Sequence, residues 1–353
     1  AHFDFYGRTL EGKNEMKPRW ERIMDGVSSG LGEQLGHLFV DKHFSEASKR
    51  EVEQMVEDLR SAFKERIEQL TWMTDSTKVR ALEKLAAFSY KIGYPDKWKD
   101  YSDLEILPQG YLQNALNRRH YLVNRNKEKL NQPVDKEEWW MPPYWVNAYY
   151  SSSFNEVVFP AGILQPPFYD PQANPAINYG AIGGVIGHEF SHGFDDQGSK
   201  YDAKGNLNNW WTETDRQNFD ALTQKLGAQY SNYEAAPGAY VNGEFTLGEN
   251  IADLGGLTLA YHAYKHALQR ESREPIVIKG FDWQQRIFLG WAQVWTTNQR
   301  EAFTRKQVKT DPHSPARFRV NGTITNIPAF REAWNCRSGK PLAPADSNLI
   351  VIW

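Results

Sequence analysis

The sequence predicts a mainly α protein with a small β-sheet edge, an α+β chain in which helices dominate. Apolar residues recur at helical spacing through long charged stretches before residue 138. Extended runs are short and confined to residues 145–159. Two further apolar helices, at 180–196 and 248–266, carry glycine and few charges.

The 353 residues exceed one ordinary domain. A division after Glu138 is expected, with a helical segment over 1–138 and the chemistry in 139–353. Forty-one basic against 44 acidic residues leave a net charge of −3, which excludes a nucleic-acid binder that relies on phosphate neutralisation. Aromatics at 14% and hydrophobics at 40% are far from a disordered composition. No uncharged apolar run is long enough to span a bilayer, since Pro160, Pro166 and Pro167 interrupt the longest candidate, Val157 to Tyr169. The lone Cys336 has no internal disulfide partner. The opening residues, Ala1 to Tyr6, show neither an initiator Met nor a signal-peptide pattern, so a processed product or a fragment is expected.

Taken in order, Val52, Met55, Val56, Leu59, Phe63, Ile67 and Leu70 form one face of a helix over 45–73. A second helix is expected from an N-cap at Thr74 or Asp75 to about Tyr90, stopped by Gly93 and Pro95. Residues 101–135 read as a third, charged helix. The aromatic and proline-rich run Trp139 to Trp145 marks a boundary or the rim of a cleft. Residues 145–150 and 154–159 read as a hairpin across Ser151 to Ser153. Five prolines between 160 and 175 then enforce an irregular segment.

On the helix at 180–196, His188 and His192 are four residues apart and share a face. With Glu189 they complete H-E-x-x-H, in which two imidazoles bind zinc and the glutamate is the general base. A catalytic zinc needs its protein ligands on one side and an open position for water, which the adjacent carboxylate must reach. A solvated null helix would be rich in helix formers. This one carries Gly183, Gly184, Gly187 and Gly193, which points to a closely packed neighbour. Glu249 and Asp253 are the only acids of the stretch 248–266, share a helix face, and lie beside Gly255 and Gly256. Carboxylates on an apolar helix need partners. Glu249 is assigned as third ligand, with Asp253 and Asp195 as acceptors that orient the two histidines.

The segment 188–196, His-Glu-Phe-Ser-His-Gly-Phe-Asp-Asp, followed by Gly-Glu-Asn-Ile-Ala-Asp at 248–253, resembles the neprilysin and endothelin-converting enzyme family. Asn147 to Tyr150, Val158 to Phe168, Asp311 to Pro315 with Arg319, and the terminal Trp353 are similar to that family as well. The likeness runs through the whole chain and corresponds to the C-terminal half of a full-length member. It implies a thermolysin-like zinc catalytic domain with part of a helical lid, and one Zn2+ per chain. It also implies an endopeptidase cutting oligopeptides on the amino side of large hydrophobic residues, with Glu189 activating water. His313 would stabilise the oxyanion and Arg319 would bind a substrate carbonyl. Asn147 and Ala148 would pair with peptide backbone, and Phe168, Ile163, Val185 and Trp295 would line the primed-side pocket. The expected partners are oligopeptides and the N-terminal half of the same protein. With a single cysteine and no anchor in view the chain looks like a bacterial relative, secreted or in the periplasm or cell envelope.

Two rival readings remain. Gly26 to Gly30 matches the G-x-S-x-G nucleophile elbow, but the charged, helix-like Arg19 to Asp25 stands where a buried strand is required. A non-catalytic, zinc-containing peptide-binding module, or a half-enzyme awaiting its N-terminal half, is the stronger alternative. Glu189 argues against a pure binder, because it contributes nothing to holding metal.

Overall fold

In the computed structural model, which describes residues 1–272 and 274–353, helices carry the architecture. A short π-helical segment (Phe3–Leu10) leads into α1 (Arg19–His43), α2 (Glu46–Gln69), α3 (Asp75–Ala86), β1 (Ser89–Gly93), α4 (Tyr111–Glu128), β2 (Tyr149–Ser151) and β3 (Glu156–Pro160). Next, α5 (Pro175–Asn178), a π-helical turn (Tyr179–Gly183) and α6 (Gly184–His192) run on as one helical stretch. After α7 (Glu213–Ser231), the ribbon of β4 (Glu234–Ala236) and β5 (Ala239–Tyr240) leads to α8 (Leu247–Arg270). The chain continues through α9 (Trp283–Val294), α10 (Glu301–Thr310), α11 (Ala316–Ile324) and α12 (Pro328–Ala333). No helix among the described residues is long and apolar enough to cross a membrane.

The helix expected over 45–73 is α2. Ser45 caps it by accepting the Ser48 N–H at 3.1 Å, and Val52, Met55, Val56, Leu59, Phe63 and Ile67 form its buried face. The next helix is shorter than expected. It ends at Ala86, and Ser89 to Gly93 form a strand, parallel to β3 from Ser89 opposite Glu156 to Gly93 opposite Pro160. That pairing joins residues far apart in the chain, so no local signal competes with the helical pattern before it. The helix read over 101–135 is confined to Tyr111–Glu128, because Gly110 (φ 111°) and Asn131 (φ 62°) take left-handed conformations on either side. The hairpin is real but shorter, with Tyr149 opposite Val158 and Ser151 opposite Glu156. In the sheet order β1-β3-β2, β2 is an edge strand.

Packing contacts cross the division expected after Glu138. Helices α2 and α3 and strand β1 share one apolar core with α6 and α8. Helices α1 and α4 pack on each other, and Pro142 and Pro143 lie over Gly32 and Gly36 of α1. At the centre, α6 and α8 touch backbone to backbone. A Cβ on Gly187 would stand 2.6 Å from the Gly256 carbonyl oxygen, so only glycine permits this approach. This contact accounts for Gly187 and Gly256 and places His188 beside Glu249 and Asp253.

Candidate metal centre

From α6, His188 and His192 project one turn apart, their rings nearly perpendicular (83°) with centroids 4.5 Å apart. Their Nε2 atoms are 3.0 Å apart. Glu249, in the first turn of α8, places Oε2 3.2 Å from His188 Nε2 and 3.7 Å from His192 Nε2. Two imidazole nitrogens at this distance, joined by a carboxylate oxygen that is buried and accepts no hydrogen bond, suit a shared cation. Tetrahedral zinc with bonds of about 2.0–2.2 Å sets its ligand atoms about 3.4 Å apart, close to the spacing here. Among the described residues this is the one group of three acidic, histidine or cysteine side chains arranged to hold a metal.

Each imidazole is fixed by a carboxylate on its far nitrogen. His188 Nδ1 meets Asp253 Oδ1 at 2.8 Å, and His192 Nδ1 meets Asp195 Oδ2 at 2.7 Å. Holding Nδ1 in this way leaves both Nε2 atoms facing the centre. Asp253 has no solvent exposure and receives a bidentate fork from Arg319, Nε at 2.7 Å and Nη2 at 2.6 Å. Burial disfavours the ionised form of Asp253, but Arg319 and His188 outweigh it and keep the carboxyl below its usual range. Glu249 is likewise held low against burial, by His188, His192 and His313. Burial also opposes charging of His192, yet Asp195 and Glu249 push it up to about 10, and Asp253 and Glu249 raise His188. The carboxylates therefore hold protons or a metal cation on these two rings.

Glu189 does not join the ligand cluster. It is 6% exposed and its carboxyl is raised by burial, an effect His188 and His192 partly oppose. It opens on a cavity of about 760 Å³. The same cavity is lined by His188, His192, Asp195, Glu249, His313, Arg319, Asn147, Ala148, Ile163, Phe168, Val185 and Trp295. Every site residue read from the sequence thus borders it except Asp253, which sits behind His188. His313 Nε2 is 3.2 Å from Glu249 Oε2, and Asp311 Oδ1 holds its ring at Nδ1 (2.8 Å) and its backbone N–H (2.9 Å). Arg319 is occupied with Asp253 and stacks 3.9 Å over the Trp295 ring.

Two further residues support the site. Asp311 orients His313, and Trp291 donates from Nε1 to the Arg319 carbonyl at 3.0 Å. The Trp291 contact depends on α9 packing against α11, which sequence spacing does not reveal, whereas Asp311 is only two residues from His313.

The fold and this centre have the arrangement of an H-E-x-x-H metallopeptidase site. Residues 147–350 and, separately, residues 1–95 match models described as Peptidase family M13. The chain belongs to that family. It is 41% identical over 345 residues to an endothelin-converting enzyme homolog of Locusta migratoria, covering 96% of this chain and 47% of that protein. It is 38% identical to human neprilysin over 351 residues, 96% of this chain and 47% of neprilysin. Among solved structures, the Mycobacterium tuberculosis zinc metalloprotease Zmp1 in complex with an inhibitor superposes with a TM-score of 0.93 at 46% identity, over 99% of this chain and 54% of that one. PepO from Lactobacillus rhamnosis gives 0.89 at 32% identity, over 99% and 54%. The chain spans about half the length of the curated relatives it matches.

Proposed function

We propose that this chain is the zinc-binding, catalytic portion of an endopeptidase acting on oligopeptides, cutting on the amino side of large hydrophobic residues. The observation that carries the reading is the convergence of His188, His192 and Glu249 on one point in the cavity that Glu189 also borders. One zinc per chain, held by these three residues, would supply a Lewis acid that acidifies water and polarises the scissile carbonyl. Glu189 takes the proton from the attacking water and delivers it to the leaving amine, a role that suits a carboxylate whose proton affinity is raised by burial. Asp311 holds the His313 ring at Nδ1, so Nε2 faces the cavity where it would hydrogen-bond the oxyanion of the tetrahedral intermediate. Asn147 and Ala148 lead into the edge strand β2, where an extended peptide can add its backbone to the sheet. Phe168, Ile163, Val185 and Trp295 offer an apolar wall for the residue after the scissile bond.

The N-terminal half is the proposed partner, closing the cleft over substrate. The half-length match to relatives supports a second reading, a half-enzyme that binds peptides without turnover until that half is added. The test is mass spectrometry of a mixed oligopeptide pool incubated with the chain, using Glu189→Gln as blank and assaying zinc in both proteins. Cuts before Phe, Leu or Ile that vanish in the blank support the endopeptidase. No cuts despite bound zinc, with cutting restored by the N-terminal half, support the half-enzyme. Equal cutting by Glu189→Gln refutes the role given to Glu189.

A further inference from the structure

Lys84, on α3, is 1% exposed and ranks among the largest fully buried side chains of the described residues. Its ammonium makes no ion pair among them. It donates instead to the carbonyl oxygens of Gly198 and Tyr201, both at 2.7 Å, and lies 5.5 Å and 6.0 Å from the ring centroids of Phe194 and Trp210. Burying an ammonium with no carboxylate partner carries a desolvation cost that an apolar residue of the same length avoids. What it holds is therefore the informative part.

The two carbonyls belong to the turn directly after α6. Asp195 Oδ1 accepts the N–H groups of Gln197 (2.8 Å) and Gly198 (2.7 Å), which fixes the carboxylate so that Oδ2 meets His192 Nδ1 at 2.7 Å. Gly198 is thus held from both sides, its N–H by Asp195 and its C=O by Lys84. A Cβ on Gly198 would collide with the His192 carbonyl oxygen, so this glycine lies directly against the ligand's own backbone. Trp211 Nε1 donates to the Ser199 carbonyl and Trp210 Nε1 to that of Tyr201, each at 3.0 Å, completing the side-chain clamp on the turn. Lys84 also accepts Asn155 Nδ2 at its own carbonyl (3.1 Å), which ties the clamp to the β2–β3 hairpin.

We propose that Lys84 is a positioning residue for His192, acting through the Gly198–Tyr201 turn and Asp195 to hold the imidazole ready for zinc. The proposal rests on the metal reading given above. Burial pushes the Lys84 ammonium down to about 7 against the opposing charges of Asp195 and Asp202, so the lysine and the carboxylate that orients His192 share one electrostatic environment. Loss of an outer partner of a ligating histidine costs about 10–100-fold in metal affinity in comparable sites. Lys84 stands one step further out, and because it and Asp195 hold the same glycine its loss is expected to weaken zinc binding at least about fivefold.

The test measures zinc dissociation constants by competition with a fluorescent chelator for the parent chain, Lys84→Met and Lys91→Met. Lys91 is the control, a part-buried lysine on β1 paired with Glu156 and making no bond to the turn. Affinity at least fivefold weaker in Lys84→Met, with Lys91→Met unchanged, supports the proposal. A folded Lys84→Met within fivefold of the parent overturns it. Failure of the parent itself to bind zinc overturns the metal reading instead. Should Lys84→Met not fold, hydrogen exchange of the metal-free parent decides. Slow exchange at the Gln197 and Gly198 amides supports a turn held before metal arrives, and exchange at open-loop rates overturns it.

Discussion

Replacing Gly187 with alanine perturbs the helix contact and the metal centre together. The added methyl would stand 2.6 Å from the Gly256 carbonyl oxygen and 2.8 Å from Gly256 Cα, both backbone atoms with no rotamer to yield. Reaching 3.0 Å requires α6 and α8 to part by about 0.4 Å, and ordinary contact at 3.4 Å requires about 0.8 Å (3.4 minus 2.6). Metal–ligand distances tolerate only about 0.2 Å. The neighbouring His188 would move away from Glu249 and Asp253 by more than its zinc geometry allows. Overpacking of this kind costs about 1–3 kcal/mol. The expected result is zinc affinity at least about tenfold weaker together with a lower Tm in the zinc-free protein. Chelator competition and thermal denaturation read the two effects separately. A Gly187→Ala protein with parental zinc affinity and parental Tm would refute the idea that this backbone contact sets the metal geometry.

Asp253→Asn leaves the Arg319 guanidinium buried without its anionic partner, so we expect a loss of about 3–5 kcal/mol on chemical denaturation as well as weaker zinc binding; an unchanged midpoint would rule this out. Zinc must displace protons from His188 and His192, both raised in the metal-free protein, His192 to about 10. Zinc added in weak buffer at pH 7 should therefore release protons, and apparent affinity should rise with pH toward 10. The metal-free fold has the opposite trend. A histidine raised from 6.5 stabilises fully below 6.5 and loses that contribution as pH climbs through its folded value. Calorimetry in buffers of different ionisation enthalpy checks the first, and denaturation across pH 6–10 the second; absence of proton release contradicts both. Phe168→Ala should raise KM for peptides with Phe or Leu after the scissile bond while leaving zinc content intact, and equal KM values would remove Phe168 from the specificity pocket.

Much of the centre was legible because its residues lie close together in the chain. The i, i+4 histidines, the glutamate between them and the Glu249–Asp253 pair are read by counting turns, and helical periodicity states which face each occupies. Packed glycines were a further signal, since Gly187 and Gly256 have no propensity reason to sit in helix interiors. Where reading failed, the deciding partner was distant. The helix expected to about Tyr90 ends at Ala86, and residues 89–93 become β1 because β3, more than sixty positions later, offers a parallel edge. Packing across residue 138 has the same origin, with α2 drawn into the core beside α8.

By itself, then, the sequence determined which helices present His188, Glu189, His192, Glu249 and Asp253 and which of these side chains share a helix face, since this follows from local geometry repeated every few residues. Only the tertiary structure decided how the parts support one another. It engages Arg319 with Asp253 instead of leaving it free, and brings Lys84 from α3 to the turn after α6. Each of these contacts joins segments whose separation in the chain carries no periodicity. They form only when burial brings polar groups together and leaves them no water to bond instead.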